Sequence, residues 1–140
     1  MINWQDYVRA SYDIVIYAEP NVQPKLDETL ESYLVHMLAR NFLGHSFGEK
    51  PVAISFLESS SLPGYQKKQA MSSLGDECLY ISGFGLKKNK WPSKTYYSNM
   101  GSMAYGYAAI SLLPMDPLYS HLENNFTLLE KVIQQISKEL

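Results

Sequence analysis

The C-terminal stretch DPLYSHLENNFTLLEKVIQQISKEL, residues 116–140, carries the sharpest pattern in the sequence. Asp116 followed by Pro117 is typical of a helix start, because aspartate caps free N–H groups and proline needs none at the first helical position. Large apolar side chains then recur at spacings of 4, 3, 4, 3 and 4, at Leu122, Phe126, Leu129, Ile133, Ile136 and Leu140. This seam predicts one amphipathic helix that packs against another helix of the same domain, with a dimer seam as the alternative.

Helix signals also precede this stretch. Ser93 or Thr95 can cap a helix that runs over 95–113 and stops before Pro114. Ser73 and Asp76 have the spacing of a capping box, which predicts that Asp76 is a cap residue of a helix over 74–85. A separate short helix is expected over 65–72.

The first half of the chain is interpreted in the same way. A single apolar face predicts a helix from Pro24 to Gly44, and Pro51 begins a shorter apolar segment, 52–57. Residues 4–18 combine helical spacing with strand-forming residues, and we predict a helix because an isolated strand would leave its ladder unpaired. The sequence therefore predicts an all-α single domain over 1–140, a compact bundle of about six to seven helices.

Composition and charge exclude several classes of protein. The chain has 140 residues, is 46% hydrophobic and 19% charged, and has a formal net charge of −2, which argues against a general polyanion binder. Its single cysteine, Cys78, excludes an internal disulfide and a multi-cysteine zinc site. Six acids lie in residues 1–31 and six lysines in residues 65–94, so opposite charges could attract across a dimer or neutralise each other within the fold.

Targeting features are absent from the sequence pattern. No apolar run approaches the roughly 18 residues of a membrane span, and the residues from Met1 lack the basic start and apolar core of a secretory signal. The free thiol fits a reducing compartment. We therefore expect a cytoplasmic protein without a membrane partner.

Motifs with chemical meaning are weak. Residues 44–48, GHSFG, match the nucleophile motif of α/β-hydrolases but follow a helix rather than a strand. The three histidines, His36, His45 and His121, lack metal-ligand spacing. Residues 83–85, GFG, followed by a lysine loop over 87–94, offer only a weak phosphate or nucleic-acid signal. We predict no catalytic residue, no metal and no cofactor, and we do not expect a nucleic-acid partner.

A resemblance covers the C-terminal half. Residues 74–84, LGDECLYISGF, followed by Tyr96-Tyr97, Met100-Gly101 and Ala104-Tyr105, resemble a signature of small bacterial all-helical proteins to which no activity is assigned. Gly85-Leu86 departs from that pattern, in which an aromatic residue and a proline follow. The resemblance implies a helical bacterial protein and no particular substrate or catalytic residue.

The glycine-bearing helix over 95–113 is the most informative functional candidate. Each of its two glycines costs roughly 1 kcal/mol against alanine, so close approach of a helix or a ligand should offset them. Candidate pocket or interface residues on this helix and on 74–85 are Asp76, Cys78, Tyr80, Tyr97, Gly101 and Tyr105. The leading hypothesis is a non-enzymatic module that binds a protein partner or itself as a homodimer, since aromatic residues favour interfaces. The alternative is a small-molecule-binding protein or enzyme with a pocket between helices 74–85 and 95–113.

Overall fold

A computed structural model describes residues 3–42, 50–85 and 93–139. These residues form seven α-helices, a 3₁₀ turn at Glu19–Asn21 and no strand: α1 Trp4–Ala18, α2 Glu28–Asn41, α3 Val52–Ser60, α4 Gly64–Phe84, α5 Lys94–Ile110, α6 Pro117–Asn124 and α7 Phe126–Lys138. The predicted all-α fold is confirmed. None of the helices in the described ranges is both long and apolar enough to cross a membrane.

Local capping explains most helix starts. Asn3 and Asp6 form a reciprocal capping box at α1, so the helix predicted over 4–18 is confirmed. Ser93 caps α5 by accepting from the Tyr96 N–H, and Asp116 caps α6 by accepting from the Leu118 N–H. Helix α3 confirms the apolar segment that follows Pro51.

Several predicted boundaries were wrong. Helix α2 begins at Glu28 rather than in the turn of Pro24, because the Asp27 carboxylate accepts from the Leu30 N–H at 2.8 Å and caps the helix there. The expected end of this helix at Gly44 lies outside the described residues. Helix α5 ends at Ile110, three residues before Leu113.

Two larger corrections concern α4 and the C-terminal helix. The helices expected over 65–72 and 74–85 are one continuous helix, so Asp76 lies in its interior and is not a cap. The C-terminal helix is instead two helices, divided at Asn125. The Asn125 side chain donates to the His121 carbonyl at 2.9 Å, a local bond that competes with helix continuation.

The core explains the apolar seam. Helix α4 packs against α3, α5 and α7, while α1 packs against α2 and α7 and α6 packs against α5. The seam residues from Leu122 to Ile136 are all buried within this one chain, in the cluster that also receives apolar side chains from α1 and α2. The seam therefore serves packing inside the bundle, as the first interpretation predicted; its last member, Leu140, lies outside the described residues.

Candidate functional site

The six candidate residues lie on the two helices with the closest packing, α4 and α5. The structure brings Asp76 into contact with Tyr105, and Cys78 into contact with the backbone of Gly101. Tyr80 lies elsewhere on α4, with its ring 4.7 Å from that of Phe84, centroid to centroid. The buried Tyr97 ring lies 5.6 Å from that of Tyr96. Asp76–Tyr105 and Cys78–Gly101 are therefore direct contacts, while Tyr97 lies in the same apolar cluster as Cys78 and Tyr80 packs against the cluster that contains Tyr105.

Asp76 is the centre of a polar cluster that joins three helices. Its Oδ1 accepts hydrogen bonds from the hydroxyls of Tyr33 on α2, at 2.6 Å, and of Tyr105 on α5, at 2.7 Å. Its Oδ2 pairs with Nη2 of Arg40 on α2 at 3.1 Å. The Asp76 side chain is only 14% exposed, so these three donors replace the water that it would bind in solution. Asp76 on α4 is therefore linked to α2 and to α5 by side-chain hydrogen bonds, and to α2 by an ion pair as well.

The cluster extends along α4 through Tyr119 of α6. The Tyr119 ring lies 6.3 Å from those of both Tyr33 and Tyr105, and its hydroxyl accepts from Ser72 at 3.1 Å. One turn earlier on α4, Lys68 pairs with Asp116 at 2.6 Å. We call the set Tyr33, Arg40, Lys68, Ser72, Asp76, Tyr105, Asp116 and Tyr119 the Asp76 network.

Most members of this network were missed by sequence reasoning, although a signal for some of them exists. Lys68, Ser72 and Asp76 are spaced four residues apart, which places three polar side chains on one face of a helix. Tyr33 and Arg40 are seven apart and share a face of α2 in the same way. Periodicity thus marks these faces as polar, while only the tertiary fold shows that they meet.

Burial and mutual contact shift the pKa values of the groups in the network. Burial raises the pKa of the Asp76 carboxyl, while the two tyrosine hydroxyls and the Arg40 charge act in the opposite direction. Burial and the neighbouring Asp76 charge raise the pKa values of Tyr33 and Tyr105, which keeps both hydroxyls protonated as donors. A tyrosine that stays protonated is a poor nucleophile or base at neutral pH.

Cys78 and Gly101 form one of the close approaches between α4 and α5. A Cβ atom at Gly101 would lie 2.7 Å from the Cys78 Cβ and 2.5 Å from Cζ of Phe126. A Cβ at Gly75 would lie 2.5 Å from the Tyr105 ring. Side chains therefore occupy the space at these glycines, where the sequence suggested a pocket between the two helices. Close packing offsets the helix-propensity cost of Gly101.

The Cys78 thiol is unsuited to nucleophilic chemistry. It is fully buried, and burial together with the charge of Glu77 raises its pKa. A reactive cysteine needs the opposite shift, because the thiolate is the nucleophile. Cys78 is therefore a packing residue of the core.

The histidines also have structural partners. Nδ1 of His36 bonds to the Ser32 carbonyl at 2.8 Å, and Nε2 of His121 lies 2.6 Å from the Asp27 carboxylate. In the part of the chain that the structure describes, no three His, Cys, Asp or Glu side chains could hold a metal ion together. His45, the GHSFG motif and most of the lysine loop lie outside the described residues.

Four of the residues that carry the sequence resemblance, Gly75, Asp76, Gly101 and Tyr105, lie at the α4–α5 contact. Gly75 receives the Tyr105 ring, Asp76 accepts the Tyr105 hydrogen bond, and Gly101 receives Cys78. Each of these contacts is made inside the chain. Comparison of the chain with protein-family models, with curated proteins and with solved structures found no match.

A second feature is a set of exposed apolar side chains on α3 and on the last residue of α5 with the segment that follows it. The Phe56 ring of α3 contacts the Tyr107 ring of α5 at 5.4 Å, and Leu112 lies over Gly64 at the start of α4. Around these contacts, large apolar side chains face solvent. We call them the apolar end: Ile54, Leu57, Ile110, Leu112, Leu113 and Met115.

Proposed function

We propose that this chain is a non-enzymatic interaction module that pairs with a second copy of itself through the apolar end. The observation that carries the proposal is the exposure of this surface: Leu113 is 90% exposed, Leu57 65% and Ile110 57%. Scattered exposed apolar residues are ordinary, but here four of the six follow one another closely from Ile110 to Met115, and the Phe56–Tyr107 contact brings α3 beside α5, which is typical of an interaction site. Covering them would remove apolar surface from water, which favours association.

The charges beside the apolar end favour a second copy as the partner. Lys50 pairs with Glu58 at 2.8 Å, Lys68 pairs with Asp116, and the Lys67 ammonium lies 5.6 Å from the centre of the Tyr107 ring. In a two-fold symmetric pair the same surface meets itself, so unpaired like charges would repel. Because these charges have partners within the chain, self-pairing meets little repulsion. A lipid surface would instead favour an unpaired basic rim.

The Asp76 network supports the non-enzymatic part of the proposal. Its carboxylate is occupied by three donors, and its two donor tyrosines stay protonated. The neighbouring Cys78 is a buried thiol. We further propose that the protein works in the cytoplasm and belongs with the bacterial helical proteins that its Gly-Asp and Ala-Tyr motifs resemble. The single free cysteine is compatible with that compartment.

Sedimentation equilibrium over a range of micromolar concentrations tests the pairing. We expect the mass to rise from 15.9 kDa towards twice that value as concentration increases. Leu113→Asp should weaken association at least about tenfold, which corresponds to about 1.4 kcal/mol. Tyr17→Asp is the matched control, because Tyr17 is 72% exposed on α1, away from the apolar end, and its replacement should leave association unchanged. The proposal is overturned if the mass stays at the monomer value at every concentration, or if the two variants weaken association equally.

A further inference from the structure

A groove between α1 and α2 shares no residue with the Asp76 network or with the apolar end. Its volume is about 620 Å³, within the usual range for ligand sites. Five side chains of α1 and four of α2 form its walls: Trp4, Gln5, Val8, Arg9, Tyr12, Glu31, Ser32, Val35 and His36. The groove is therefore a candidate binding site separate from those described above.

The α1 wall carries two aromatic rings that are partly open to solvent. Trp4, Val8 and Tyr12 are spaced four residues apart, which places them in one row along the helix. Trp4 is 43% exposed and Tyr12 is 41% exposed. The Arg9 guanidinium lies 5.9 Å from the centre of the Tyr12 ring, so that ring already contacts a cation. Among the described residues no ring or cation lies against Trp4, and tryptophan is the aromatic side chain that attracts cations most strongly.

The α2 wall supplies hydrogen-bond acceptors and negative charge. Nδ1 of His36 bonds to the Ser32 carbonyl at 2.8 Å, and because a carbonyl only accepts, Nδ1 carries the proton and Nε2 of the neutral ring is an acceptor. The Glu31 carboxylate forms no ion pair within the described ranges. Glu28 lines an adjoining cavity of about 470 Å³ that shares Ser32 and His36 with the groove. This wall therefore attracts positive charge.

The charges of the groove favour a cation over an anion. Arg9 brings a positive charge to its walls, and the Asp13 carboxylate pairs with Arg9 at 3.2 Å. Asp13 therefore offsets Arg9, and the charge of Glu31 is left without a counter-ion. A bound anion would face Glu31, whereas a bound cation would be attracted by both Glu31 and the Trp4 ring.

We propose that the groove binds a primary ammonium group that is attached to an aromatic body. The ammonium group has three N–H donors, for which the Glu31 carboxylate and the His36 ring nitrogen are acceptors. The aromatic body packs between Trp4 and the apolar side chains of Val8 and Val35, which face the same groove. The site thus recognises an arylalkyl amine by its charge at one end and its apolar ring at the other.

NMR titration of the isotope-labelled chain with 2-phenylethylammonium gives both the affinity and the location of binding. 2-Phenylethanol and phenylacetate are the matched probes, because they carry the same ring with a neutral or a negative end. We expect the ammonium probe to bind at least about fivefold more tightly than the alcohol, and phenylacetate to bind most weakly. The Trp4 indole N–H and the amides of Val8 and Val35 should shift. Equal affinity for the ammonium probe and the alcohol, or shifts centred outside the groove, would overturn the proposal.

The Glu31→Gln variant tests the charge of the groove. It should weaken binding of the ammonium probe about fivefold and leave that of 2-phenylethanol unchanged, because the amide keeps the shape of the wall and removes its charge. Burial and the neighbouring Glu31 raise the pKa of Glu19 to about 7, so a titration at about pH 8 keeps Glu19 largely ionised with or without Glu31. The amine probe keeps its proton at this pH, as a lysine side chain does.

The Glu58→Gln variant is the matched control, because it removes the same charge from α3, where Glu58 pairs with Lys50. It should bind all three probes as the native chain does. Equal weakening of the ammonium probe in Glu31→Gln and Glu58→Gln would overturn the proposal, since it would show a general effect of net charge. If Glu31→Gln fails to fold, the three probes on the unchanged protein still decide, because their order of affinity depends on the charge of the groove alone.

Discussion

Replacing Asp76 with alanine removes the centre of the Asp76 network. Two hydroxyls, on Tyr33 and Tyr105, lose their acceptor, and Arg40 loses its counter-ion. Removal of one partner from a buried ion pair costs about 3–5 kcal/mol, because the other groups are left unpaired. The Arg40 side chain is 43% exposed and can regain water, so we expect the lower part of that range, about 3 kcal/mol. If Asp76 were only a helix cap, the cost would be about 1 kcal/mol.

Urea unfolding followed by far-ultraviolet circular dichroism measures this difference in the free energy of unfolding. Ser93→Ala is the matched control, because Ser93 is a true cap that accepts from the Tyr96 N–H at 3.3 Å, and it should cost about 1 kcal/mol. Tyr33→Phe and Tyr105→Phe should each cost about 1 kcal/mol and should not be additive, since both donate to the same oxygen. The reasoning fails if Asp76→Ala costs no more than Ser93→Ala.

Three further predictions concern packing, reactivity and pH. Gly101→Ala should lower the free energy of unfolding by about 1–3 kcal/mol through overpacking. Gly106→Ala should leave the free energy of unfolding unchanged or raise it, because the new methyl meets only the movable end of the Glu123 side chain. Urea unfolding of both variants measures this difference, and an equal loss of stability in the two would contradict the packing described. The buried Cys78 thiol should not react with a thiol-specific disulfide reagent in the folded protein and should react once the protein is unfolded. Fast reaction of the folded protein with the reagent would contradict the burial of this thiol. Because the folded pKa of Glu19 is raised from 4.5 to about 7, the free energy of unfolding should fall by up to about 3 kcal/mol as pH rises through that window. Glu19→Gln should remove this loss, so that the variant is as stable as the native sequence near pH 4.5 and more stable than it above pH 7. An equal difference in stability at the two pH values would contradict the raised pKa of Glu19 as the cause.

Helix content could be predicted from the sequence because its signals are local. The periodicity from Leu122 to Ile136 identified the buried face of the C-terminal region, and Ser93 and Asp116 identified two helix starts. The division at Asn125 was missed because the apolar spacing continues across it without a change of period. At Asn125 the backbone leaves the helical region and the side chain bonds to the His121 carbonyl, and a pattern of apolar residues shows neither feature.

The role of Asp76 could not be predicted because two local features competed. Its position three residues after Ser73 has the spacing of a capping box, yet the residues before Ser73 continue the same helix. Its partners come from α2 and α5, at sequence separations of 43, 36 and 29 residues. Local patterns carry no information on such distant contacts. The small residues of α5 predicted that another element packs closely against this helix. In the structure the side chains of Cys78 on α4 and Phe126 on α7 pack against Gly101.

The location of the proposed self-pairing can be measured by paramagnetic relaxation. A nitroxide placed on Leu113→Cys labels one site, because Cys78 is buried, and the labelled chain is mixed with an isotope-labelled, spin-free copy. The account predicts that amide signals of Leu57 and Ile110 in the spin-free copy broaden, while that of Tyr17 on α1 stays sharp. Unbroadened spectra at concentrations in the high micromolar range, or broadening centred on α1, would contradict pairing through the apolar end.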